Sequence, residues 1–114
     1  MAWLDFNTTP HRRLRDGIHG AIHHSEQLTF ARIVLEEGAV LPEHNHVHEQ
    51  WTHILAGQME FTMDGETRIL EPGMAVFIPS MTLHSARALT RCEALDCFLP
   101  VREDFKALEP GTER

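Results

Sequence analysis

The sequence predicts an all-β domain, an antiparallel sandwich or barrel. Three observations carry that expectation. Short runs rich in β-formers recur about every 8–12 residues, Gly, Pro and Asp turn residues separate them, and the middle of the chain has no long stretch of helical period. The chain has 114 residues, a length suited to one compact domain. It reads as an N-terminal strand arm over about 1–35, a barrel core over about 36–100 and a short tail over 101–114.

The elements follow in order. Arg12, Arg13 and Arg15 form a short basic cluster, read as a solvated turn or strand edge rather than a phosphate site. Residues 17–24 form the first candidate strand, and Leu28 to Leu35 the second, stopped by Glu36-Glu37-Gly38. Leu41-Pro42 opens a histidine-rich segment, and Trp51 to Leu55 continues it to Gly57. Residues 58–63 alternate, with Met59, Phe61 and Met63 on one face and therefore in the core. Asp64-Gly65 is a two-residue hairpin turn, and Thr67 to Leu70 is the returning strand. Met74 to Ile78, about Ala86 to Ala88, and Cys92 to Leu99 complete a set of about eight or nine strands. Arg102 to Leu108 reads as a short helix, ended by Glu-Pro-Gly at 109–111.

Composition narrows the function classes. The net charge of −7 offers no basic face for nucleic acid. No apolar run approaches the roughly 20 residues of a membrane helix, and residues 1–6 lack the pattern of a secretory signal. The expectation is a cytoplasmic protein. Cys92 and Cys97 have odd separation, so on one strand they point to opposite faces and stay reduced.

Nine histidines are present, four of them between His44 and His53. His44 and His46 share strand parity, and two imidazoles on one side can close on an ion at roughly 2.1 Å each. The pair alone fits a hydrogen-bonded structural role equally well. Trp51, His53 and Leu55 have opposite parity to Gln50 and Thr52. A Trp and a Leu on an outer face point to a homodimer interface, and His53 reads as structural.

The frame around these histidines resembles a known family. Gly38 lies six residues before His44, and Gly57 seven after Gln50. This segment resembles the first cupin motif, Gly-x5-His-x-His-x3,4-Glu-x6-Gly, with Gln50 where glutamate is usual. Glu49, next to it, has the wrong parity. Gly73, Pro79 and His84 resemble the second motif, Gly-x5-Pro-x-Gly-x2-His-x3-Asn, with Met81 and Ala88 replacing its later Gly and Asn. The resemblance implies a double-stranded β-helix, the cupin jelly-roll barrel. It also implies one divalent metal (Zn, Ni, Mn, Fe or Co) held by His44, His46, Gln50 and His84. His48 shares their parity and reads as pocket-lining. A neutral amide in place of a carboxylate leaves the ion its full +2 charge. That favours a small anionic partner and stabilises a trivalent metal less.

A narrower resemblance covers about residues 38–105, to the pectin-degradation cupins that linearise unsaturated monouronates. Its residues here are His44, His46, Glu49-Gln50, His84, and then Asp96, Phe98 and Arg102. The resemblance implies that Arg102 pairs with the carboxylate of a uronate, that Asp96 moves protons and that Phe98 shapes the sugar-facing wall. On the residues alone, Asp96 reads more readily as a structural ion-pair partner of Arg102 or Arg91. Rival classes are a metal-dependent dioxygenase acting on a small organic substrate, and a non-enzymatic module that binds a sugar acid or a metal.

Overall fold

A computed structural model describes residues 2–110. They form ten strands: β1 (Arg12–Arg15), β2 (Ile18–His24), β3 (Thr29–Leu35), β4 (Val40–His44), β5 (Glu49–Ala56), β6 (Met59–Met63), β7 (Glu66–Leu70), β8 (Ala75–Ile78), β9 (His84–Ala88) and β10 (Cys92–Leu99). A short 3-10 helix spans Glu103–Ala107. Residues 111–114, the end of the tail, lie outside the described residues.

The strands make two antiparallel sheets, ordered β1-β2-β3-β10-β5-β8 and β4-β9-β6-β7. This is the antiparallel sandwich anticipated from the strand spacing and the jelly roll that the cupin resemblance implied. The arginine cluster forms β1, the edge strand of the larger sheet, with Arg13 ion-paired to Asp16. No helix among the described residues is long and apolar enough to cross a membrane.

Period-two alternation decides what each face carries. Along β5, Gln50, Thr52 and Ile54 are buried, while Trp51, His53 and Leu55 are exposed. Along β10, Ala94, Asp96 and Phe98 are buried, and Cys97 lies on the outer side, so the two thiols stay apart and free. Ile33, Leu35, Ile54 and Ala94 of the large sheet meet Met59, Phe61, Leu70 and Ala86 of the small one in a single core. Apolar burial of this kind contributes about 25 cal/mol per Å² and holds the two sheets face to face.

Two turns explain their residues. Asp64 and Gly65 have φ of 51° and 77°, the pair of positive values that a type I′ hairpin between β6 and β7 requires. Gly57 has φ of 85° between β5 and β6, and a Cβ there would run into the carbonyl oxygen of Arg91 and come within 2.9 Å of the Cys92 Cα. Both glycines have left-handed backbone, but only Gly57 is also crowded. Gly57→Ala should therefore destabilise the fold by about 2–4 kcal/mol, strain plus overpacking. Gly65→Ala, with nothing within 4 Å of the added carbon, should cost only about 1 kcal/mol. Denaturant titration of the two variants measures the difference.

Candidate metal centre

His44, His46 and His84 come together at one mouth of the barrel, with one ring nitrogen of each lying within 4.8 Å of the other two. Three different elements deliver them. His44 is the last residue of β4 and pairs in register with His84, the first residue of β9, and their ring centroids are 4.2 Å apart. His46 stands beyond the end of β4, in the bend that leads to β5. Strand parity is therefore not what aims it. The bend is tied to the turn before β9 by Met81 N–H donating to His46 O (2.8 Å), Ser80 Oγ to Val47 O (2.6 Å) and Asn45 Nδ2 to Met81 O (3.3 Å). Met81 occupies the motif's glycine position and takes φ of 66°, the left-handed value for which glycine is ordinarily used.

Each ring is fixed through its Nδ1. His44 bonds to Pro42 O (2.8 Å), His46 to His48 O (2.9 Å) and His84 to Thr82 O (2.8 Å). A carbonyl oxygen only accepts, so each Nδ1 carries the hydrogen and each Nε2 keeps its lone pair. The His84 Nε2 is buried without a partner among the described residues. Burial, followed by the nearby Arg102 charge, lowers the His46 pKa to about 4, and burial also lowers that of His84. Both rings are therefore neutral near pH 7, the form that ligates a metal.

Gln50 points inward beside them, and Glu49 turns out to accept from the Trp51 indole (3.0 Å). The Gln50 amide donates from Nε2 to Thr52 Oγ1 (2.9 Å), which leaves Oε1 3.0 Å from the His46 Nε2. Two lone pairs face one another there, an arrangement that a cation between them would stabilise. Three imidazole nitrogens and one amide oxygen thus fit a divalent ion of borderline softness.

The His48 ring lies 5.5 Å from that of His46, and its Nδ1 is buried without a partner among the described residues. The chain is bent at 47–48, so strand alternation does not carry across it. Burial and the Arg102 charge lower its pKa.

The cavity below the histidines has a volume of about 500 Å³, ample for a small sugar acid. Asp96 and Phe98 face it from β10 and Arg102 from the following segment. Asp96 forms no ion pair with either arginine among the described residues. Arg102 is bound by Asp104 through Nε (3.0 Å) and Nη2 (2.7 Å), and Arg91 by Glu36 and Glu93. Desolvation raises the Asp96 pKa to about 7, against the Thr52 hydroxyl and the Arg102 charge, which pull it down. One carboxyl oxygen, Oδ1, is buried and unpartnered.

Arg102 lies over the rings of Phe105 (4.0 Å to the centroid) and Phe98 (4.9 Å). Two side chains of this site had no reading from the sequence. Thr52 had a usable clue in its parity with Gln50. Asp104 had only its nearness to Arg102.

The chain belongs to the cupin domain family (Cupin_2), whose pattern matches residues 31–98. It is 34% identical over 100 residues to the pectin degradation protein KdgF of Dickeya dadantii (strain 3937), across 85% of this chain and 91% of that protein. The structure of KdgF from Halomonas sp. superposes with a TM-score of 0.86 at 30% identity, covering 92% of this chain and 98% of that one. An RmlC-like cupin from Shewanella frigidimarina NCIMB 400 gives 0.87 at 25% identity, covering 92% and 96%.

The Asp96 shift has a stability consequence. A carboxyl whose folded pKa lies above its unfolded value is harmless at low pH and costs stability as pH rises from about 4 to about 7. Asp96→Asn should therefore raise the stability of the metal-free protein by roughly 1–3 kcal/mol at pH 8 and change it little at pH 4. Urea unfolding at the two pH values checks this.

Proposed function

We propose that this cupin catalyses ring opening and tautomerisation of a 4,5-unsaturated uronate or a related small sugar acid. The observation that carries the reading is Asp96, a buried carboxyl poised near neutrality in the same cavity as His44, His84 and the Arg102 guanidinium, with His46 grouped beside the two other rings. The likeness to KdgF supports the substrate class.

A divalent ion held by His44, His46, Gln50 and His84 would supply Lewis acidity toward substrate oxygens. The chain's own groups account for the rest. With Nε and Nη2 bound to Asp104, Arg102 retains its Nη1 hydrogens for the substrate carboxylate. Asp96, with a pKa near the working pH, accepts the proton of the anomeric hydroxyl as the C1–O5 bond breaks. The products of that step are an aldehyde at C1 and an enolate at C5. Return of that proton from Asp96 to C4 converts the enolate to a ketone, so the reaction is an isomerisation with no atoms gained or lost. Phe98 forms the wall against which the sugar lies.

We assign the exposed outer face of the large sheet to contact with a second copy of the chain. Trp51 is 54% exposed, packs against Phe77 with ring centroids 4.5 Å apart and shares its face of β5 with Leu55. Trp51→Glu should convert a dimer to a monomer in analytical ultracentrifugation; a wild-type protein that sediments as a monomer sinks the assignment. The free thiols of Cys92 and Cys97 favour the cytoplasm as the site of action.

Incubation with unsaturated monogalacturonate should abolish its ultraviolet absorbance without oxygen uptake. Chelation should stop the reaction and added divalent metal restore it. Asp96→Asn should lower kcat by about 10²-fold or more, and Arg102→Ala should chiefly raise KM. Oxygen consumption with a metal-loaded sample would instead favour a dioxygenase, and binding without turnover a sugar-acid binding module.

A further inference from the structure

Thr52 lies between two groups to which the reaction above gives separate duties. It is 4% exposed, follows Gln50 on the inner face of β5 and faces Asp96 across the β5–β10 pair. Its Oγ1 accepts the Gln50 Nε2–H at 2.9 Å. A hydroxyl has a single hydrogen. With Oγ1 already accepting from the amide, that hydrogen is free for the Asp96 carboxyl, whose ionised form the Thr52 hydroxyl stabilises.

The direction of the amide matters at its far end. A primary amide has nearly the same shape whichever way it is turned, so shape alone does not choose its orientation. With Nε2 on Thr52, the oxygen Oε1 faces the His46 Nε2 lone pair at 3.0 Å. Turned round, the amide would donate a hydrogen bond to that lone pair and present hydrogens to any cation. The reversed amide would also draw the Thr52 hydrogen to Oε1 and away from Asp96.

We infer that Thr52 is a positioning residue that holds Gln50 oxygen-inward for the metal. The inference rests on the reading of His44, His46, Gln50 and His84 as metal ligands. Hydrogen-bonded groups behind a metal ligand typically change affinity by about 10–100-fold when removed.

The test is a Co²⁺ titration of metal-stripped protein, followed by visible absorption and by competition with a chromophoric chelator. Wild-type protein that binds no Co²⁺ would overturn the ligand reading itself. Given wild-type binding, Thr52→Val should weaken Co²⁺ affinity about 10–100-fold and alter the spectrum. Thr52→Ser should bind as wild type does. In a Gln50→Glu background Thr52→Val should cost little, because a carboxylate presents oxygen whichever way it turns. Wild-type affinity in Thr52→Val, an equal loss in both backgrounds, or a loss in Thr52→Ser would each overturn the inference. Should Thr52→Val not fold, Thr52→Ala replaces it, and equal affinities of the Ala and Ser variants would overturn it.

Discussion

The site depends on three hydrogen bonds from imidazole Nδ1 to backbone carbonyls, at His44, His46 and His84. Each fixes a tautomer and turns an Nε2 lone pair toward the same point. The carbonyls belong to residues two positions away in sequence, so local backbone shape sets the direction of each ring. The price of that arrangement is backbone order in an irregular segment. Bonds between the His46 bend and the turn containing Met81 supply the order, with Met81 held in a left-handed conformation to make them.

Burial and the Arg102 charge disfavour the imidazolium of His46 and His84 and outweigh the backbone hydrogen bonds that favour it, so those two rings stay neutral and available. Desolvation disfavours the carboxylate of Asp96 as well, and here it outweighs Arg102. The difference from Asp104 is instructive. That acid accepts two hydrogen bonds from Arg102, which lower its pKa. Two aspartates within reach of one guanidinium thus take opposite states, one ionised and structural, the other near neutrality and free to exchange a proton.

Much of the site was legible because it lies on regular strands. The shared face of Asp96 and Phe98 follows from parity along β10, and the choice of Gln50 over Glu49 from parity along β5, which placed Thr52 beside Gln50 without giving it a role. The hairpin at Asp64-Gly65 followed from turn chemistry. Beyond the end of β4 alternation no longer applies, and His46 joins His44 and His84 for a different reason. β1 was not resolved as a strand because an arginine-rich tetrapeptide at a sheet edge buries too little to show a pattern.

The sequence by itself determined the sheet content and the inner and outer faces, because these depend on residue type and on a period of two, while His44, His46, Gln50 and His84 were singled out as a set only through the family motifs they resemble. Tertiary structure alone decided how the bends aim the rings, which acid Arg102 binds and how far Asp96 is removed from water. Those outcomes depend on hydrogen-bond partners and burial supplied by residues distant in the chain, and no local pattern records them.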